Sequence, residues 1–270
     1  MKITHSEFMR FVVYVKENFG INLMHKKALI LGRLQNHLIQ NQFQNFSQYI
    51  EYIMIDHTGA AVKNLLNKLT TNHTYFMRET EHFDYYKKII LPELFVKERK
   101  TKDLRIWSAG CSSGEEAYTL AMIQNDFLGD QKKLWDAKIL ATDISDKVLT
   151  AAVNGIYLNE KLVHLPEKWK KNYFEKIDYE NSKVIDAIRN EVIFRRFNLM
   201  NKIFPFKKKF HVIFCRNVMI YFDAATKKAL INRFYEFTES GGYLFIGHSE
   251  SINREETAYK YIMPAVYRKE

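Results

Sequence analysis

LRIWSAGCSSGEEAYTLAM, residues 104–122, reads as a strand, a turn of small residues and the opening of a helix. Residues 104–108 alternate as a half-buried strand does. Ala109, Gly110, Cys111, Ser112, Ser113 and Gly114 then follow without a bulky side chain. Glu115 and Glu116 supply acid to the first turn of a helix, where the dipole favours it. Such a unit carries backbone amides and a helix N-terminus up to a nucleotide-like ligand. The glycines would leave no side chain between backbone and ligand. Only Gly110 and Gly114 are present, so the turn is not the dinucleotide G-x-G-x-x-G, and no Lys-Ser/Thr follows to make a phosphate-cradling P-loop. Two glutamates would repel a phosphate and suit a ligand that is cationic or rich in hydroxyl and amine donors. Taken alone, the stretch equally suits an ordinary tight turn with a solvated acidic first turn.

Downstream, strand and helix signals alternate. Residues 138–144 read as a strand ending in Asp143, with a helix at 147–153, and residues 192–199 as a strand ending in Asn198. Residues 210–219 form a buried strand ending in Arg216 and Asn217. A helix from Asp223, its N-cap, to Thr238 is closed by Gly241 and Gly242, and residues 243–247 and 261–268 supply two more strands. This βαβ rhythm predicts an open, mostly parallel α/β sheet with helices on both faces. Residues 156–191 break it and read as a small inserted subdomain. Ligands of open sheets bind beyond the carboxyl ends of the strands. Gly110, Asp143, Asn198, Arg216 and Asn217 all fall there, and Asp143 can accept both hydroxyls of a ribose. Each residue alone suits a strand-end turn or a cap; together, at four strand ends, they favour a nucleoside site.

Upstream, residues 1–69 are poor in glycine and striped for helices. Phe8, Phe11, Val12, Val15 and Phe19 stop at Gly20; Ala28, Leu31, Leu34 and Leu38 mark a second helix over about 25–41; residues 46–54 and 60–69 complete a bundle. The second helix carries Lys26, Lys27, Arg33 and His37, a basic face whose plainest reading is solvation. The segment LTTNHTYFMRE, residues 69–79, crowds Thr70, Thr71, Asn72, His73 and Thr74 together, where one helix cap needs one side chain. A helix over 80–96, interrupted or bent at Pro92, and the charged loop 97–103 complete a connection between two domains, 1–69 and 70–270.

Composition bounds the rest. The 270 residues are 47% hydrophobic, ample for a sizeable core. No apolar run approaches the roughly 18 residues of a membrane span, and MKITHSEFMR is polar where a signal peptide is apolar. Cys111 and Cys215 cannot build a disulfide framework, which fits a reducing cytoplasm. A net charge of +10 implies an acidic partner without naming it.

TTNHTYFMRE, WSAGCSSGEEAYTLAM, ATDIS, FNL, FCRNVMIYF and GGYLFIGHSE, in this order, resemble the chemotaxis-receptor glutamate methyltransferases, the CheR family, over the whole chain. The resemblance implies an all-helical N-terminal domain that docks on the receptor. It further implies a Rossmann-like S-adenosylmethionine-binding domain with a seventh, antiparallel strand and an inserted β-subdomain. It implies methyl transfer to receptor glutamates, forming methyl esters for sensory adaptation and leaving S-adenosylhomocysteine. Asn72, Thr74 and Arg78 would reach over the cofactor. Glu116 and Asp143 would hold its amino-acid or ribose groups, and Asn198 with Leu199, Arg216 with Asn217, and Gly110 would complete the site. The partner would be the acidic helical region of a chemoreceptor, met by Lys26, Lys27 and Arg33. Some family members also dock on a receptor's C-terminal peptide through a glycine-containing loop of the insertion. Here no glycine lies between Gly155 and Gly241, so direct electrostatic docking is expected.

The chemistry makes its own demands. Displacement at a sulfonium methyl by glutamate needs no strong base, because the carboxylate is ionised at pH 7. It needs alignment and exclusion of water. The Arg78 fork matches a carboxylate. Tyr221 either lines the methyl-transfer face or is a packed aromatic at a strand–helix junction. Met77 and Ala117 replace a common aromatic and a common proline of the family, tolerably. A nucleic-acid methyltransferase would also suit the charge, but its Asp/Asn-Pro-Pro-Tyr/Phe pocket is replaced by Arg216-Asn217-Val218-Met219. A non-catalytic binder would not need Arg78, and a hydrolase would have to use Cys111 or Cys215 with His248. No metal site, nucleic-acid partner, membrane insertion or oligomer is expected.

Overall fold

The computed structural model describes residues 3–57, 59–69 and 72–270. Thr70 and Thr71, counted in the polar cluster above, lie outside the described residues. Four helices open the chain: α1 (His5–Phe19), α2 (Lys27–Gln40), α3 (Phe46–Ile55) and α4 (Ala60–Leu69). Thr4 and Glu7 form a reciprocal capping box at the start of α1, and α1 ends at Gly20 as its apolar stripe requires. The helix over 80–96 is interrupted, as expected near Pro92, into α5 (Thr80–Tyr85), a π-helical turn (Tyr86–Ile90) and α6 (Leu91–Lys97). Pro92 explains the wide turn: it has no N–H for the carbonyl four residues back, and its ring crowds that carbonyl. Leu91 accordingly bonds five residues back, to the Tyr86 carbonyl.

The main sheet contains β1 (Ile106–Ala109) and β2 (Ile139–Asp143), with α7 (Glu115–Leu128) between them and α8 (Asp146–Asn154) after β2. The insertion follows as β3 (Ile156–Leu158), α9 (Glu167–Tyr173), β4 (Phe174–Lys176), β5 (Asn181–Val184) and α10 (Asp186–Arg189). The main sheet resumes with β6 (Val192–Arg196), β7 (Phe210–Cys215), α11 (Ala224–Phe237), β8 (Thr238–Ile246), β9 (Lys260–Met263) and β10 (Val266–Arg268). Its order is β6-β2-β1-β7-β8-β10-β9. The first five strands are mutually parallel, and β10 runs antiparallel to both neighbours, the seventh strand the resemblance implied. The insertion makes its own antiparallel sheet, β3-β5-β4.

Three sequence expectations need correction here. Residues 261–268 are a hairpin, not one strand, turning at Pro264 and at Ala265, whose φ is 63°. Gly241 and Gly242 do not close a helix; they lie inside β8, where its register against β7 shifts. The strands read to Leu199 and Met219 stop at Arg196 and Cys215, leaving Asn198, Arg216 and Asn217 in loops beyond the strand ends.

Strand alternation divides the core in two. Trp107, Ile213, Leu244 and Ile246 point to one face, with Leu230 and Phe234 of α11; Ile106, Val212, Phe214 and Phe245 point to the other, with α7 and Tyr86. The first of these cores runs without a break into the helical bundle through Phe8, Leu34 and Leu66. Polar ties reinforce the seam. Lys16 pairs with Asp223 at 2.6 Å, Lys63 pairs with Asp146 at 2.9 Å, and the Asn22 N–H donates to the Tyr221 carbonyl at 2.7 Å. The bundle therefore forms a wall above the carboxyl ends of the strands.

Candidate active site

That wall, the strand ends and the linker border an open cleft. Its lining includes every residue singled out for cofactor binding or methyl transfer: Asn72, Thr74, Arg78, Gly110, Glu116, Asp143, Asn198, Leu199, Arg216, Asn217 and Tyr221. Phe19 and Ile21 of the helical bundle add an apolar side.

Asp143 stands at the end of β2 with both carboxylate oxygens fixed. One accepts the Ser112 N–H and the other the Ser145 N–H, each at 2.9 Å. Burial pushes its carboxyl above the ordinary range, opposed by these backbone bonds. Each oxygen keeps a lone pair for a donor such as a ribose hydroxyl. Ser112, at φ 49°, also donates through its hydroxyl to the Asn72 carbonyl at 3.1 Å, locking the small-residue turn to the linker.

The role read for Gly110 needs correction. A Cβ there would stand 2.3 Å from Val218 Cγ2, and its φ is 91°. The space is claimed by the loop after β7 rather than kept clear for a ligand.

Glu116 accepts the Ser108 hydroxyl at 2.6 Å on one oxygen and Arg216 Nη1 at 3.0 Å on the other. Arg216, its side chain 2% exposed, also bonds Glu79 at 3.0 Å and the Arg78 carbonyl, and lies over the Phe83 ring. One buried guanidinium thus joins the linker to the first turn of α7. Glu79 accepts Asn217 Nδ2 and the His248 N–H as well, both at 3.3 Å. Burial raises the Glu79 carboxyl, but Arg216, Asn217 and His248 together bring it below its ordinary value. His82 lies fully buried 3.5 Å from Glu79; burial, then Arg216, lower its pKa to about 4, so it is neutral at pH 7. Glu79, His82 and His248 bring metal-ligand atoms within 4.8 Å of one another. Arg216 already supplies the positive charge on that carboxylate, which works against a cation there.

Arg78 donates to the His73 carbonyl at 2.8 Å, lies 5.9 Å from the Tyr75 ring, and makes no ion pair among the described residues. A carboxylate entering the cleft would find it available. Tyr221 lines the same cleft with Lys26 Nζ 5.6 Å from its ring. Asn198 is more committed than the sequence suggested, donating to the Asn18 carbonyl at 2.8 Å and accepting the Met200 N–H at 2.9 Å. Arg33 is likewise not simply a surface cation. It donates to the Leu69 and Lys68 carbonyls at the C-terminal end of α4. Cys111 and Cys215 are fully buried and burial raises both thiols, so neither is an activated nucleophile.

Sequence reasoning missed Glu79 and Glu250 as residues that brace the site from behind its lining, although both lie inside quoted motifs. Glu250 is buried and accepts three backbone N–H groups, from Asn217, Gly247 and Ile220.

Comparison with known proteins agrees with this architecture. Residues 6–70 match the CheR methyltransferase all-alpha domain, and residues 72–267 the CheR methyltransferase SAM-binding domain. The chemotaxis protein methyltransferase of Borreliella burgdorferi is 43% identical over 100% of this chain and 96% of its own. Chemotaxis protein methyltransferase 1 of Pseudomonas aeruginosa is 34% identical over 97% and 96%, and the Escherichia coli chemotaxis protein methyltransferase 32% identical over 99% and 92%. With both of its regions matched and relatives aligned along their whole length, this chain belongs to the CheR methyltransferase family.

Proposed function

We propose that this protein transfers the methyl group of S-adenosylmethionine to glutamate side chains of chemoreceptors, forming glutamyl methyl esters. The observation that carries the reading is Arg78: a guanidinium without an ion-pair partner among the described residues, in one cleft with the acceptors Asp143 and Glu116. S-Adenosylmethionine supplies, when bound, a methyl group on a cationic sulfur. The residues present fit that cofactor by the chemistry of their donors and acceptors. Asp143 accepts hydroxyls, the Glu116–Arg216 pair offers both charges to a zwitterionic amino-acid end, and Phe19, Ile21 and Leu199 offer apolar surface to a base.

The chain's own work is alignment. Arg78 holds the incoming carboxylate by its fork. Tyr221, lining the same cleft, orients it, and the bundle wall excludes water. No proton needs removing from an ionised glutamate. Docking relies on Lys26 and Lys27 at the start of α2, near the cleft mouth, facing an acidic receptor helix.

Incubation with methyl-labelled S-adenosylmethionine and receptor-containing membranes tests the reading. Label should enter the receptor and leave as methanol in mild base, as an ester does. Base-stable label, or label in nucleic acid, would overturn it.

A further inference from the structure

Glu250 lies in the loop after β8 with no part in binding or chemistry assigned to it. It is 8% exposed and makes no ion pair among the described residues. A buried carboxylate without a cation is costly unless hydrogen bonds replace hydration. Here backbone amides do so in part, burial still holding the carboxyl above its ordinary value. One oxygen accepts the Asn217 N–H at 2.9 Å and the Gly247 N–H at 2.6 Å, and the other accepts the Ile220 N–H at 3.1 Å. Two of these donors belong to the loop after β7, and Ile220 immediately precedes Tyr221.

The neighbours of that loop are equally specific. Asn217 adopts φ 60°, and a Cβ on Gly247 would fall 2.4 Å from Asn217 Nδ2, so the two loops touch backbone to side chain. Val218 packs against Gly110, and the Tyr221 carbonyl is held by Asn22. Every residue of 216–221 except Met219, which is buried in the core, thus carries a named tether or contact, and Glu250 supplies two of them.

We propose that Glu250 is a positioning residue: its carboxylate clamps the loop after β7 and thereby fixes where Tyr221 stands in the cleft. The inference rests on the reading of Tyr221 as facing methyl transfer.

The test is Glu250→Gln, which keeps the shape but not the second acceptor. Whichever way the amide turns, its NH₂ meets a backbone N–H, so either the Ile220 clamp or the Asn217 and Gly247 pair is lost. Amide hydrogen exchange at Ile220, or at Asn217 and Gly247 together, should accelerate relative to the strand amides of β7, with the protein still folded by circular dichroism. On receptor membranes, kcat should fall by up to about 100-fold, the scale of a 1 Å misplacement. Adding Glu250→Gln to Tyr221→Phe should cost much less than adding it to the native chain, because the tyrosine's placement is already without value. A merely structural glutamate would lower the melting temperature and leave both the folded enzyme's kcat and this coupling unmoved. Unchanged exchange, or losses that simply multiply in the double variant, would overturn the proposal. Should the native protein fail to label receptors, the proposed function falls, while the exchange result still decides the clamp.

Discussion

Replacing Arg216 by methionine removes one guanidinium and strands two carboxylates. Methionine keeps much of the packing against Phe83, so the loss is chiefly electrostatic. Arg216 bonds Glu79 and Glu116, each at 3.0 Å, from a side chain 2% exposed. Removing one partner of a buried ion pair costs about 3–5 kcal/mol, because the remaining charge stays desolvated. For a chain of this size that corresponds to a fall of about 6–10 °C in Tm. The deficit should depend on pH, and its sign follows from Glu79. In the native protein Arg216 helps hold the Glu79 carboxyl below its ordinary value of 4.5, so this stabilisation is present above 4.5 and fades as pH falls through the lowered native value. Without Arg216 burial acts unopposed by that charge, and Glu79 takes up a proton at a higher pH. The variant should therefore be most handicapped near pH 7 and closer to the native protein near pH 5. Urea unfolding across that range measures it. A deficit below about 1 kcal/mol, or one unchanged with pH, would refute the claim that Arg216 neutralises these carboxylates.

Asp143→Ala should weaken S-adenosylhomocysteine binding by about one to two orders of magnitude, from about 1.5–3 kcal/mol for a charged acceptor. Calorimetry reads this directly, and unchanged affinity would remove Asp143 from the site. Arg78→Lys should stay folded and lose most methyl transfer, since an ammonium cannot reproduce the fork; full activity in this variant would disprove bidentate holding. Lys26 and Lys27 changed together to glutamate should raise the KM for receptor and reduce the salt dependence of activity, at unchanged cofactor affinity. Arg33→Glu should in addition lower Tm, because Arg33 bonds the carbonyls at the end of α4.

The parallel strands were legible because apolar periodicity and strand-end polar residues coincide, and Asp143, Glu116 and Arg216 lie on one cleft as their positions implied. The four bundle helices were legible from their stripes. Glu79 and Glu250 were not. A single acid in a loop has no period, and the hydrogen-bond partners of the Glu79 carboxylate stand 137 to 169 residues away. Gly110 illustrates the same limit: the need for a missing side chain was readable, but not that Val218 occupies the adjoining space. The hairpin at Pro264 did carry a local signal, since proline within an apolar run argues against one continuous strand. Arg33 reads as surface charge on a helical wheel, yet α4 offers it carbonyls 35 and 36 residues later in the chain.

The central claim is that one cleft aligns cofactor and receptor glutamate. A crystal structure of the protein with S-adenosylhomocysteine tests it most directly. The account predicts the ribose hydroxyls on Asp143, the amino-acid end toward Glu116 and Arg216, and the sulfur facing the space between Arg78 and Tyr221. A product molecule bound elsewhere, or one whose sulfur is sealed off from Arg78 and Tyr221, would contradict it.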